Sequence, residues 1–139
     1  MTDHQNKNAE RRMQNEELRN RDIHERVFEF ACRIVRLHDW FCRQRRGNRN
    51  LINQLLDAGT GIGSNLEEAR AGQSRADFVA KARVALKEAR ESHYWLRLIE
   101  QSGSVSPTKI HPLVEEANEI VAILTTIIKK ASPPRKPLS

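Results

Sequence analysis

Apolar positions in this chain recur every three to four residues over most of its length, and the cleanest stripe runs through Phe78, Ala82, Ala85, Ala89, Ser92, Leu96 and Ile99. Alternating spacings of 4 and 3 place these side chains on one face of an α-helix turned toward a neighbouring helix. Four of the seven are Ala or Ser, and small residues on a buried stripe let another backbone come close. Just upstream, Leu55, Leu56, Gly59, Ile62, Gly63 and Leu66 share a second helical face. Gly59, Gly61 and Gly63 each cost that helix roughly 1 kcal/mol relative to Ala, so close contact is the expected compensation.

The same periodicity outlines four helices. The first is predicted from about Asp22 to Arg45, with Ile23, Val27, Phe30, Ile34 and Phe41 inward and Ala31, Leu37 and His38 on the flank. A turn over 45–50 follows, with Gly47 at the C′ position and Asn48 or Asn50 capping a second helix over about Leu51–Ala71. Gly72 closes that helix, and Ser74 with Asp77 forms a capping-box-like start for a third, which runs to about Gln101. Ser106 and Pro107 suit the N-cap and first position of a fourth helix, Pro107 to Ala131, with Ile110, Leu113, Val114, Ala117, Ile120, Val121, Leu124, Ile127 and Ile128 facing inward.

Amphipathic helices joined by short turns predict an all-α fold, an antiparallel up-down-up-down four-helix bundle over 21–131. Residues 1–20 read as a mobile polar arm or a frayed helical extension, and 132–139 as an extended basic, proline-rich tail. Val79, Leu86 and His93, seven apart beside the main stripe, and Tyr94, Trp95 and Leu98 near its end exceed what one bundle buries. They predict packing of bundles into a homo-oligomer.

Composition narrows the class. At 139 residues the chain is one domain, 5% aromatic, with no run of alternating β-branched residues long enough for a strand. No segment approaches the ~20 apolar residues of a membrane span, and the N-terminus lacks the apolar core of a signal peptide, so a cytoplasmic protein is expected. Cys32 and Cys42 lie about 15 Å apart along one helix and are expected as reduced, packed thiols.

The search for chemistry is mostly exclusionary. GTGIG lacks the spacing of GxxxxGK[ST] or GxGxxG, and no strand precedes it, so a packing role is preferred over a phosphate loop. No acid has a histidine three residues later, which removes the di-iron carboxylate pattern. His38 and Cys42, one turn apart, are two ligands at most and read as a core-edge histidine beside a thiol. Glu67, Glu68, Glu88 and Glu91, interleaved with Arg70, Lys87 and Arg90, read as an ion-pair network between the second and third helices. Asn65 is expected as a buried polar contact to Glu88 or Ser92 that sets pairing specificity. No catalytic residue, metal or cofactor is expected.

Charge supplies the positive signal. The chain carries +6 from 24 Lys and Arg against 18 Asp and Glu, with arginine preferred, and arginine's planar fork suits phosphate. No acid occurs from Trp40 to Leu56, where Arg43, Arg45, Arg46 and Arg49 gather, with Arg33 and Arg36 upstream. The third helix adds Lys81, Arg83, Lys87 and Arg90, and these ten residues are the candidate nucleic-acid contacts. Arg75, Arg97, Arg11, Arg12, Lys129, Lys130, Arg135 and Lys136 extend the basic surface.

The runs QLLDAGTGIGSNLEEA and QSRADFVAKARVALKEARESHYWLRL, within 54–98, resemble the signature of the small bacterial four-helix bundle family known as 23S rRNA intervening-sequence proteins. The resemblance extends from about the first helix through the fourth and rests on Gln54, Ala58, Ile62, Gly63, Asn65, Glu67, Glu68, Ser74, Asp77, Phe78, Ala85, Lys87, Glu88, Ala89, Glu91, Trp95 and Leu96. Gly61 stands where the family pattern suggests serine. The resemblance implies an antiparallel bundle assembling as a homopentameric ring, with some relatives encoded inside inserts of large-subunit rRNA genes. It further implies kinship with accessory proteins of diversity-generating retroelements, pentamers that bind reverse transcriptase and RNA. It supplies no catalytic residues. The expected function is non-enzymatic binding of structured nucleic acid, RNA first, and the alternative is a protein-interaction adaptor using the basic face or the Trp95 region.

Overall fold

The computed structural model describes residues 2–45 and 47–133, the side chains of 15–22 excepted. The described residues form four helices and no strand: α1 Asp3–Arg43, α2 Arg49–Ala71, α3 Arg75–Ser102 and α4 Pro107–Ala131. Arg46 and the tail beyond Pro133, including Arg135 and Lys136, lie outside them.

Caps place α2 and α3 close to their expected bounds. Asn48 Oδ1 accepts the backbone N–H groups of Asn50 (2.9 Å) and Leu51 (3.4 Å), and Ser74 Oγ accepts that of Asp77 (3.1 Å). Gly103, at φ 75°, ends α3, and Pro107 opens α4.

Two expectations about α1 are corrected. It begins at Asp3 rather than near Asp22, so the polar N-terminal stretch, read as a mobile arm or a helical extension, is helix. Residues 2–14 are exposed, so burial does not set this start. The Gln5 side chain accepts the Thr2 N–H at 3.4 Å, and Ala9, Glu10, Arg11, Arg12, Met13 and Gln14 are strong helix formers. A hydrophobic pattern is blind to a helix with no apolar face. At the other end Gln44 is the cap and Arg45, at φ 53°, takes the left-handed position assigned to Gly47. Gly47 (φ 79°) instead brings the turn down on the core: a Cβ there would stand 2.5 Å from Phe41 Cζ and 3.3 Å from Ser104 Cβ.

The core follows the stripes. Phe30, Ile34, Ile52, Leu55, Ile62, Ala82, Ala85, Ala89, Leu96, Ile99, Ile110, Ile120 and Leu124 are fully buried. Ser92 is buried with them, its hydroxyl donating to the Glu88 carbonyl at 2.8 Å. Leu86, assigned above to the surplus apolar line, is only 8% exposed and belongs to this core, as does Val105 in the α3–α4 turn. Phe78, Val121 and Ile127 are half-buried against it.

α2 packs most extensively on α3, α3 on α4, and α1 on α2, whereas α1 and α4 meet over a shorter stretch. There Arg26 bridges to Glu116 and Glu119. Contacts such as Ile34 with Gly59 and Val27 with Gly63, or Glu68 with Lys81 and Gly61 with Glu88, run in opposite sense along their helices. No helix of the described residues is long and apolar enough to cross a membrane.

The glycines of α2 divide by what they face. A Cβ on Gly59 would lie 3.0–3.3 Å from three atoms of the buried Ile34, whereas one on Gly63 would meet only Val27 at 3.8 Å. Gly63→Ala is therefore expected to stabilise the protein by about 0.5–1 kcal/mol through helix propensity. Gly59→Ala should lose about 1 kcal/mol or more to overpacking, cancelling or reversing that gain. Urea unfolding of the two variants checks the ordering, and equal stabilisation by both would contradict close packing at Gly59.

Candidate nucleic-acid interface

The basic residues are distributed by helix direction. Arg43 ends α1, Arg45 sits in the turn and Arg49 opens α2, all three exposed, while Arg36 is exposed and Arg33 half-buried on α1. Lys81, Arg83, Lys87 and Arg90 are exposed along α3. Arg46 is outside the described residues. Lys81 pairs with Glu68, nineteen residues into α2 from Arg49 by number, which is about 28 Å of helix away from the α1–α2 turn. The ten candidates thus do not form one cluster.

Ion pairing separates them further. Lys81 Nζ lies 2.9 Å from Glu68 Oε2, a hydrogen bond that lowers the glutamate's pKa and raises the lysine's. Lys87 pairs with Glu91 at 3.9 Å across one turn of α3. Among the described residues Arg33, Arg36, Arg43, Arg45, Arg49, Arg83 and Arg90 form no ion pair with an acid. One cation belongs with the turn group and was missed in the sequence: Lys109, whose Nζ lies 3.7 Å from the centroid of the Trp40 ring. Its spacing on α4 gives no hint of that neighbour.

The acids between α2 and α3 form only part of the expected network. Glu68 and Glu91 have their lysines, but Glu67 and Arg70 act on His24 of α1 instead. His24 Nδ1 is buried without a hydrogen-bond partner, and burial, then Arg70, lower its pKa. Asn65 is half-buried, and its Nδ2 donates to the Gly61 carbonyl one turn back at 2.7 Å. It therefore makes no hydrogen bond to Glu88 or Ser92, its amide being satisfied by its own helix's carbonyl.

Glu88 is half-buried over Gly61, where an added Cβ would stand 3.2 Å from its carboxyl. Burial, then Glu91, and more weakly Asp57, push its pKa above 4.5 against the opposing pull of Lys87. A carboxyl that binds its proton more tightly when folded favours folding below pH 4.5, and that contribution is lost as pH rises through the raised value. Glu88→Gln should consequently melt above wild type near neutral pH, with the gain shrinking as pH falls toward 4.5. A Tm difference independent of pH would contradict this.

Other chemistry is sparse. His38 Nε2 lies 2.8 Å from Asn53 Oδ1 and the ring 3.8–3.9 Å from the half-buried Cys42 thiol. Among the described residues no three His, Cys, Asp or Glu side chains converge as a metal site. An open depression of about 410 Å³ between α3 and α4 is lined by His93, Tyr94, Arg97, Leu98, Glu100 and Gln101. Phe28 (69%), Tyr94 (52%), Val35 and Val84 are exposed, and Tyr94 stacks edge-on to Trp95 with centroids 5.3 Å apart.

A comparison with curated proteins found no match. Among solved structures, the chain is similar to a crystal structure of a protein of unknown function from the S23 ribosomal protein family of Bacteroides thetaiotaomicron. The two are 35% identical, with a TM-score of 0.75 over 80% of this chain and 98% of that one. The model of the 23S rRNA-intervening sequence protein family matches residues 19–126, the span that holds the core helices and most of the basic surface, and the chain belongs to that family.

Proposed function

We propose that this chain is a non-enzymatic, antiparallel four-helix bundle that assembles as a homo-oligomeric ring in the cytoplasm and binds structured nucleic acid, RNA first. The observation that carries the reading is the set of exposed arginines that pair with no acid among the described residues: Arg36, Arg43, Arg45, Arg49, Arg83 and Arg90. Phosphate is the partner that suits bare guanidinium groups, and the family's link to an rRNA insert makes RNA the first choice. Exposed Phe28, Val35, Val84 and Tyr94 support self-association. In a ring of five, the +6 of each chain would sum to about +30, a field that holds a polyanion far better than one copy does. In the cell such a ring would serve as an accessory to an RNA-processing or reverse-transcribing partner.

Binding through phosphate requires a steep salt dependence. Anisotropy of a labelled RNA should show affinity falling by tenfold or more between ~0.05 and ~0.2 M salt. Affinity that is flat across this range would overturn the reading.

The exposed Tyr94 beside Trp95, at the rim of the α3–α4 depression, favours a second reading as a protein-interaction adaptor. A protein that co-purifies through nuclease treatment and high salt would select it.

A further inference from the structure

Two stretches of this sequence lack acids, 40–56 and 101–114, and each holds a turn between helices. The fold brings these turns together, since the α1–α2 turn packs through Gly47 onto Phe41 and Ser104. Lys109 then reaches across to Trp40, one turn before Arg43 on α1. One end of the molecule therefore collects Arg43, Arg45, Arg49 and Lys109, while the carboxylates that immediately precede these segments, Asp39 and Glu100, lie beside His38 (3.9 Å) and His111 (2.8 Å).

Local energetics oppose three of these four cations. Arg45 occupies the left-handed backbone region, at φ 53°, where glycine carries no steric penalty. Arg49 and Lys109 lie in the first turns of α2 and α4, where the helix dipole favours an anion and neither helix supplies an acid. Lys109 offsets its position in part by sitting on Trp40. Positive charge held against local preference at three neighbouring positions points to a use outside the chain.

We infer that this end, built from Arg43, Arg45, Arg49 and Lys109, is a docking surface for the phosphate backbone of double-helical RNA. The inference rests on the RNA-binding reading and specifies its place and its ligand class. Duplex rather than single-stranded RNA follows from what the surface lacks. The large exposed hydrophobic side chains, Met13, Phe28, Val35, Val84 and Tyr94, all lie elsewhere, and the Trp40 ring is covered by Lys109. A surface that offers charge without an open aromatic face can hold backbone phosphates but cannot stack splayed bases. The α3 cations make a poorer site, because Lys81 and Lys87 already face Glu68 and Glu91.

Filter binding near ~0.1 M salt with an RNA hairpin and an unstructured RNA strand of equal length tests the assignment. The proteins are wild type, the turn-end variant R45G/R49Q/K109Q and the α3 variant R83Q/K87Q/R90Q, each checked by thermal melting. Wild type should prefer the hairpin. The turn-end variant should melt no lower than wild type, lose at least tenfold in hairpin affinity, and reduce the slope of log affinity against log salt by about 2–3. The α3 variant should lose much less. If the turn-end triple does not fold, R49Q alone carries the test, with a slope change of about 1. Greater loss in the α3 variant, or equal binding of the single strand, overturns the end-on duplex site while leaving RNA binding in place. Absence of binding to either RNA by wild type overturns the underlying reading as well.

Discussion

The approach of α2 to its neighbours is the constraint on which the other features depend. At Gly59 the Ile34 side chain occupies the space that a Cβ would need. On the other side of α2, Ala82, Ala85 and Ala89 keep the face of α3 low. Dispersion contacts fall away over fractions of an ångström, so these small residues let a helix of poor intrinsic propensity pack extensively on both α1 and α3. With α2 seated between α1 and α3, its first turn is carried to the end where α3 passes to α4. Contact of Gly47 with Ser104 follows, and with it the meeting of the two acid-free turns.

Charge is arranged around this apolar frame in two ways. Along the sides, cations and acids answer one another: Arg26 with Glu116 and Glu119, Lys81 with Glu68, and Lys87 with Glu91. The exposed pairs, Lys81 with Glu68 and Lys87 with Glu91, add little to stability, but they cancel the local field. At the turn end Arg43, Arg45 and Arg49 pair with no acid among the described residues, and the acids that immediately precede the two turn segments, Asp39 and Glu100, lie beside His38 and His111. The net charge of the sequence is therefore a weaker guide than its placement, and the same +6 spread evenly would describe a solvated surface.

The apolar stripes disclosed most of the helical architecture, because burial and periodicity report the same thing. Asn48, Ser74 and Pro107 disclosed the three turns through side-chain and backbone chemistry that acts within a few residues. What stayed hidden has other causes. The start of α1 at Asp3 depends on propensity and a terminal cap, with no apolar face to give it a period. Arg45 takes the left-handed position assigned to Gly47, which lies two residues later against Phe41. Asn65 satisfied its amide on its own helix, a choice that spacing cannot distinguish from a contact across helices. Lys109 joined the basic group only through tertiary packing, so four of the arginines were legible as a run while their lysine partner was not.

Membership in the 23S rRNA-intervening sequence protein family and similarity to a structure of unknown function give the fold a context without giving it a reaction. The proposed activity lies in repeated surface charge, which needs several copies to become strong. Light scattering of the purified protein, with the ratio of nucleic-acid to protein absorbance taken before and after a high-salt wash, tests that claim most directly. A multimer that carries nucleic acid and releases it in salt is expected. A monomer, or a multimer free of nucleic acid from the outset, would contradict it.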